Sequence, residues 1–191
     1  MRTISRISVD FELRRLFRRL KPGVVLDAGS KNSPYKQYIP HTKYLRLDID
    51  NETKPDICCD MHKIEWQADY FDTIIATEVL EHLHGPQTAV NELHRILKQN
   101  GICIAAVPFL YPYHAHPKDY YRFTQDSLRH LFRNFGEVEI IPHGNKVQTI
   151  WQLVTAGQAG RILNVLNPLL ALLTSKKDAV FCSGFIIYAR K

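Results

Sequence analysis

Apolar and polar positions first follow a helical period. In residues 10–20, DFELRRLFRRL, apolar side chains recur on one face and arginines occupy the other. Lys21, Pro22 and Gly23 come next, a combination that commonly ends a helix. The pattern predicts an N-terminal helix within residues 1–23.

After this helix, short apolar runs typical of buried strands alternate with helical periods up to residue 135. The predicted strands lie at residues 24–29, 43–50, 55–61, the first part of 71–83, 102–109, 137–142 and 179–190, and within 71–83 the strand runs straight into a helix. Helices are also predicted at 87–98 and at 124–135, the second capped by Thr124 or Asp126. The alternation predicts an α/β fold with a doubly wound, mostly parallel sheet, in which ligands bind at the carboxyl ends of the strands.

The composition indicates one ordinary domain over residues 1–191, with 45% hydrophobic and 23% charged residues. A net charge of +6 permits an anionic partner, but no basic stripe interleaved with aromatics favours nucleic acid. We expect no signal peptide, and no run reaches the roughly 18–20 apolar residues of a membrane span. The four cysteines lack metal-binding spacing and indicate free thiols in a reducing, cytoplasmic setting.

The first predicted strand ends in a glycine turn within VVLDAGSKNSPY, residues 24–35. Asp27, Ala28 and Gly29 suit the tight turn of a nucleotide-binding fold. Lys31, however, stands where a further glycine would let a pyrophosphate approach the backbone. A cofactor without phosphates would not need that glycine.

Acidic residues recur at or just past the ends of the first four predicted strands: Asp27, Asp48, Asp60 and Glu78. A carboxylate at such a position accepts two hydrogen bonds from a ribose diol or one from an exocyclic amine. Strand ends also face loops, which are commonly acidic. Four carboxylates in register nevertheless favour a binding site.

These segments match known motifs in order: Asp27-Ala28-Gly29, LDID, DICCDM, FDTIIATEVLEHL and LHRILKQNGICIAAVPF. Over residues 20–142 the chain resembles class I S-adenosylmethionine-dependent methyltransferases, most closely the type-11 methyltransferase domain family. The resemblance implies a Rossmann-like, seven-stranded sheet of order 3-2-1-4-5-7-6 whose last strand is antiparallel. It also implies S-adenosylmethionine as the cofactor.

By position, the resemblance assigns cofactor contacts to the strand ends. The implied residues are Asp27, Ala28, Gly29 and Ser30 at the methionine part, Asp48 at the ribose, Ile49 and Met61 beside the adenine, Asp60 at the adenine amine, and Thr77 and Glu78 at the end of the site. Lys31 departs from the glycine that is usual in the family.

Residues 108–123, PFLYPYHAHPKDYYRF, follow the fifth predicted strand and are expected to overhang the reactive end of the cofactor. Aromatic and polar groups suit a small-molecule pocket, and His114 or His116 is the candidate catalytic base. Alternatively, the segment is a stiff loop around a salt bridge between Asp119 and Arg122. Transfer to a good nucleophile needs positioning but no base.

Residues 145–178 form a predicted apolar helical insertion before the last strand, and Pro168 interrupts it. A helix that is apolar nearly all round must be covered. The candidates to cover it are a lid, a homodimer contact through residues 150–173, a lipid-like substrate and a membrane surface, and a lid or a dimer contact is favoured over the membrane.

A metal is the last chemical alternative. Glu78, Glu81 and His82 have the spacing that aligns side chains on one helix face, and a histidine from the later loop would add a ligand. Acidic residues also favour helix N-termini for dipole reasons alone, and we expect no metal.

The sequence therefore predicts methyl transfer to oxygen or nitrogen of a small-molecule, glycan or lipid-linked acceptor. The alternative is a non-catalytic S-adenosylmethionine-binding module of the same fold.

Overall fold

The structure is a computed structural model that describes residues 3–29, 31–115, 117–156, 166–171 and 179–191. Seven strands form one sheet in the order β3-β2-β1-β4-β5-β7-β6. The strands are β1 Val24–Ala28, β2 Lys43–Asp48, β3 Ile57–Cys58, β4 Phe71–Thr77, β5 Leu97–Pro108, β6 Glu137–His143 and β7 Gly184–Arg190. Strands β1 to β5 pair in parallel, and β7 pairs antiparallel with both β5 and β6. The predicted strand order and the antiparallel last strand are confirmed.

The described helices are α1 Ile4–Phe17, α2 Pro86–Ile96, α3 Gln125–Leu131, α4 Lys146–Val154 and α5 Asn167–Ala171. The side chain of Thr3 caps α1, which therefore begins six residues before the predicted start at residue 10. Thr124, one of the two predicted caps, accepts a hydrogen bond from the N–H of Ser127 at 3.2 Å and begins α3.

Alternate residues of the central strands face two separate hydrophobic layers. Helices α2 and α3 pack on one face of the sheet with Leu26 and Ile74, whereas α1 packs on the other face with Val25 and Ile75. This alternation follows from the period of two in a strand. It leaves the carboxyl ends of the parallel strands accessible at one edge.

The segment after β4 differs from its predicted continuation into a helix. Only a single 3₁₀ turn, Leu80–His82, follows the strand, and α2 begins at Pro86. Glu78 has a left-handed backbone with φ of 53° and so lies outside any helix. Glu78, Glu81 and His82 therefore do not share one helix face.

The insertion between β6 and β7 contributes α4 and α5, which lie beside α1. Gln152 of α4 accepts a hydrogen bond from the N–H of Ser5 at 3.0 Å, and the Trp151 indole donates to Asn167 of α5 at 2.9 Å. Much of the apolar run at residues 162–173 lies outside the described residues. Contact with a second subunit through residues 150–173 stays a prediction. None of the helices in the described ranges is both long and apolar enough to cross a bilayer.

Candidate functional site

A cleft of about 690 Å³ opens at the carboxyl ends of β1, β2 and β4. Most of the residues predicted to bind the cofactor line it: Gly29, Asp48, Ile49, Asp60, Met61, Thr77 and Glu78. Parallel strands end at the same edge of a sheet, and this brings residues that are far apart in sequence into one cavity. Ser30 and His116 lie outside the described residues.

The glycine turn after β1 packs closely against the segment after β4. Gly29 has φ of 70°, and a Cβ there would lie 2.5 Å from Cγ2 of Val79. Lys31 also has a left-handed backbone, with φ of 41°, and its N–H donates to Oδ2 of Asp48 at 3.1 Å. Lys31 therefore adopts the left-handed backbone that a second glycine would favour, and its N–H holds the carboxylate of Asp48.

Asp48 and Ile49 form the wall at the end of β2. The Asp48 carboxylate is buried and accepts backbone N–H groups from Lys31 and Asp50 at 3.1 and 3.0 Å, one on each oxygen. Each carboxylate oxygen can accept a second hydrogen bond, as a ribose diol requires. The side chain of Ile49 is 67% exposed and lines the cleft, where it offers an apolar surface to a flat ring.

Asp60 lies just past β3 and is oriented by His62. Both the N–H and Nδ1 of His62 contact Oδ1 of Asp60, at 2.9 and 2.5 Å. Although partial burial alone would raise it, the pKa of Asp60 is held below its ordinary value by these hydrogen bonds. Met61 is buried beside it. The second oxygen, Oδ2, receives neither His62 bond, and an adenine amine could donate to it.

Asp27 and Ala28 lie behind the wall of the cleft. The Asp27 side chain, 2% exposed, accepts a hydrogen bond from the Tyr44 hydroxyl at 2.6 Å. Burial raises the pKa of Asp27 to about 6, although the Tyr44 bond acts against this rise. The Asp27 carboxyl lies beneath the glycine turn. Its direct contact with a cofactor stays a prediction.

Thr77 and Glu78 line the cleft at the end of β4. The N–H of Glu78 donates to the Ala106 carbonyl at 2.8 Å, which holds the left-handed residue against β5. Burial, followed by the charge of Glu81, raises the pKa of Glu78 to about 8. A positive charge entering the cleft, such as a sulfonium, would favour the ionised form of this carboxyl.

The segment between β5 and α3 forms neither helix nor strand in its described residues, as its prolines indicate. Arg122 binds both carboxylate oxygens of Asp119, at 2.5 and 2.6 Å, so the predicted salt bridge is present. The N–H of His114 also donates to Asp119, at 3.0 Å. The Arg122 hydrogen bonds lower the pKa of Asp119 to about 2.

His114 is absent from the described cleft lining and lies beside Glu81 and His82, of which only His82 lines the cleft. Its Nε2 is 3.7 Å from Oε1 of Glu81, and Nε2 of His82 is 3.8 Å from the same oxygen. The Glu81 carboxylate, the largest influence, raises the pKa of His114. A catalytic role for His114 or His116 stays a prediction.

Sequence reasoning missed several residues that line the cleft: Arg6, His62, His84, Lys118 and Tyr120. Arg6 comes from α1, which sequence alone does not place near the strand ends. Lys118 and Tyr120 lie in the proline-rich segment that was expected to overhang the site. His84 follows the 3₁₀ turn and stacks on His62 at 4.1 Å between ring centroids.

Comparison with known proteins gives one family match and many structural ones. A family model described as a methyltransferase domain matches residues 35–105. No protein of curated function matches the sequence significantly. A SAM-dependent methyltransferase and possible histamine N-methyltransferase from Thermotoga maritima is 14% identical, with a TM-score of 0.67 over 98% of this chain and 91% of that one.

Two further solved structures share the fold. A SAM-dependent methyltransferase from Archaeoglobus fulgidus is 16% identical, with a TM-score of 0.65 over 96% of this chain and 93% of that one. The cyclase SpnF is 18% identical, with a TM-score of 0.60 over 94% of this chain and 80% of that one. At these identities the structural likeness establishes the fold alone.

The strand order and the methyltransferase-domain match over residues 35–105 together give this chain the fold of class I S-adenosylmethionine-dependent methyltransferases, with S-adenosylmethionine as its cofactor. The residues present fit that cofactor. Asp48 suits its ribose, Asp60 and Ile49 suit its adenine, and Glu78 offers a carboxyl for its positive sulfonium.

Proposed function

We propose that this chain transfers the methyl group of S-adenosylmethionine to an oxygen or nitrogen of a small-molecule, glycan or lipid-linked acceptor. The observation that carries the proposal is the composition of a single cleft. Asp48 and Asp60 stand at its cofactor end, while Lys118 and Tyr120 border it from the proline-rich segment. The cleft therefore joins a cofactor edge to polar and aromatic groups suited to an acceptor.

When bound, the cofactor supplies an electrophilic methyl group. Attack by a lone pair of the acceptor on that methyl carbon would displace the sulfur, which would leave as a thioether with the electron pair of the broken carbon–sulfur bond. The proton lost by the acceptor passes to a base or to water. This chain contributes chiefly orientation, since in-line positioning supplies much of the rate in such a transfer.

Calorimetric titration with S-adenosylmethionine tests the first half of the proposal. We expect saturable binding, and an absence of binding at millimolar ligand would overturn it. Incubation of the protein with methyl-labelled cofactor and fractionated metabolites tests the second half. Label should appear in one acceptor class and should fall with Asp48→Asn when the cofactor concentration is below saturation.

A non-catalytic binding module is the second candidate function. It is favoured by the position of His114, which is held by Asp119 and is absent from the described cleft lining. Cofactor binding without turnover across a broad acceptor panel would support this alternative.

A further inference from the structure

Glu81 is a buried carboxylate that faces two imidazole rings. Its side chain is 0% exposed, and neither oxygen has a hydrogen-bond partner among the described residues. The burial of a carboxylate without a donor or a counter-ion is costly. Arg122, the nearby guanidinium, is already bound to Asp119 through both of its terminal nitrogens.

Two imidazole rings point their Nε2 atoms at this carboxylate. Nδ1 of His82 contacts the carbonyl oxygen of Lys118, so that nitrogen carries the proton and Nε2 is left with a free lone pair. Metal-bound histidines commonly donate their other N–H to a carbonyl or carboxylate in this way.

The ring of His114 has a comparable environment. Its Nδ1 lies 3.3 Å from Oδ2 of Asp119 and 3.4 Å from the Pro112 carbonyl, and both are acceptors. Arg122 Nη2 is also 3.4 Å from this nitrogen, but it donates to Asp119 at 2.6 Å and to Pro112 at 3.0 Å. A proton on Nδ1 suits these two acceptors and leaves Nε2, which faces Glu81, as the nitrogen for a metal ion.

The distances suit one ion. One ligand atom from each of Glu81, His82 and His114 lies within 4.8 Å of the other two. An ion at their centre would lie within roughly 2.8 Å of each atom, and side-chain adjustments of less than about 1 Å would give the ~2.0–2.2 Å bonds of a divalent metal.

We propose that the Glu81–His82–His114 cluster binds a divalent transition-metal ion. Two imidazoles with one carboxylate favour zinc, manganese, iron or cobalt over magnesium, which prefers an all-oxygen set. Three protein ligands leave coordination positions open for water or another oxygen ligand. His82 lines the cleft. If the proposed function holds, the hydroxyl of an oxygen acceptor would be such a ligand.

Cobalt(II) is a suitable probe because its visible absorption reports coordination directly. The chain, stripped with a chelator and dialysed, should bind one equivalent of cobalt(II) and show a raised melting temperature. Glu81→Gln and His114→Gln should each weaken cobalt affinity at least roughly tenfold. His130→Gln, at an exposed position on α3, is the matched control and should bind like the parent.

Variant folding is checked on the same samples. Glu81→Gln keeps the size and shape of the buried side chain, so the metal-free variant should fold like the parent while losing its cobalt-induced rise in melting temperature. His114→Gln changes an irregular segment and gives a second, independent test. Cobalt binding that is absent in the parent, or unchanged in both variants, would overturn the proposal.

The metal proposal and the proposed function fail separately. Titration of the metal-free protein with S-adenosylmethionine measures cofactor binding, on which the proposed function depends, in the absence of a metal. Cofactor binding with no cobalt binding would refute the metal cluster and leave methyl transfer standing. Cobalt binding with no cofactor binding would refute the proposed function and support the metal cluster.

Discussion

Two residues beside the cleft, Lys31 and Glu78, hold left-handed backbone conformations without being glycine. Such conformations commonly cost of order 1–3 kcal/mol and persist where the surroundings enforce them. Here Lys31 donates its N–H to Asp48, and Glu78 donates its N–H to Ala106. The departure from the family glycine is therefore accommodated by a hydrogen bond to the residue expected to bind the ribose.

Asp48→Asn should weaken S-adenosylmethionine binding by roughly tenfold to a hundredfold. The charged acceptor contributes hydrogen bonds worth ~1.5–3 kcal/mol, and ~1.4 kcal/mol corresponds to one decade of affinity. Asparagine has nearly the same shape and keeps one oxygen to accept one of the two backbone N–H groups, so the fold should survive. Titration calorimetry measures the change, with Asp56→Asn as a control at an exposed carboxylate. Equal affinities for parent and Asp48→Asn would show that the ribose binds elsewhere.

Asp27 predicts a pH dependence of folding stability. Its pKa is raised to about 6 in the folded chain from 3.8. The folded state therefore binds the proton more tightly, and this contribution to stability is complete below about pH 4 and lost as the pH rises through 6. The total contribution to the free energy of unfolding is roughly 3 kcal/mol, since one pKa unit corresponds to ~1.4 kcal/mol.

Asp27→Asn removes this dependence while keeping an oxygen to accept from Tyr44. Relative to the parent, the variant should gain stability from pH 4 to pH 7 and then level off. Urea unfolding of both proteins at matched pH values measures the difference in their free energies of unfolding. Groups that titrate in the same way in both proteins do not contribute to this difference. A difference independent of pH would contradict the assignment.

At the scale of elements, the irregular segment between β5 and α3 contains a largely buried ion pair. Asp119 is almost inaccessible, and Arg122 binds it through two hydrogen bonds. Arg122→Gln would leave the carboxylate without its partner, which typically costs about 3–5 kcal/mol for a buried pair.

Because only this segment depends on the pair, Arg122→Gln should open it locally. Limited proteolysis should cut between residues 109 and 124 at least several-fold faster than in the parent. Arg129→Gln, on the exposed side of α3, is the control. Unchanged cleavage in Arg122→Gln would show that other contacts hold the segment.

The elements most accessible to sequence reasoning were those set by local periodicity. The strands and the positions of Asp48 and Asp60 follow from short apolar runs, each ending in a carboxylate. The predicted helix after β4 was wrong because the N–H of Glu78 bonds to Ala106 of β5, and Pro86 begins the next helix. Neither of these tertiary constraints has a periodic signal.

Long-range neighbours in the site were equally inaccessible. Arg6 enters the cleft from α1, and Tyr44 of β2 binds Asp27 of β1 across the parallel pair. His62 could have been suspected from its position two residues after Asp60, where a side chain commonly contacts a preceding carboxylate. Its stacking on His84 depends on tertiary packing alone.

At the scale of the whole molecule, one sheet connects two hydrophobic layers. Residues that are adjacent in the central strands face opposite layers, so neither layer can lose its packing without disturbing the strands that the other requires. The two tryptophans lie on opposite sides. Trp66 packs against the layer of α2 and α3, and Trp151 belongs to α4, beside α1.

This arrangement predicts that both sides of the sheet unfold together. Trp151→Phe leaves Trp66 as the only tryptophan, and Trp66→Phe leaves Trp151. In each variant the urea midpoint from tryptophan fluorescence should equal the midpoint from far-ultraviolet circular dichroism, because coincident transitions indicate one cooperative unit. Comparing two probes within one variant removes the effect of the substitution on stability. A Trp151 transition at clearly lower urea would instead show that α4 separates from the sheet before the domain unfolds, and would contradict a single domain over residues 1–191.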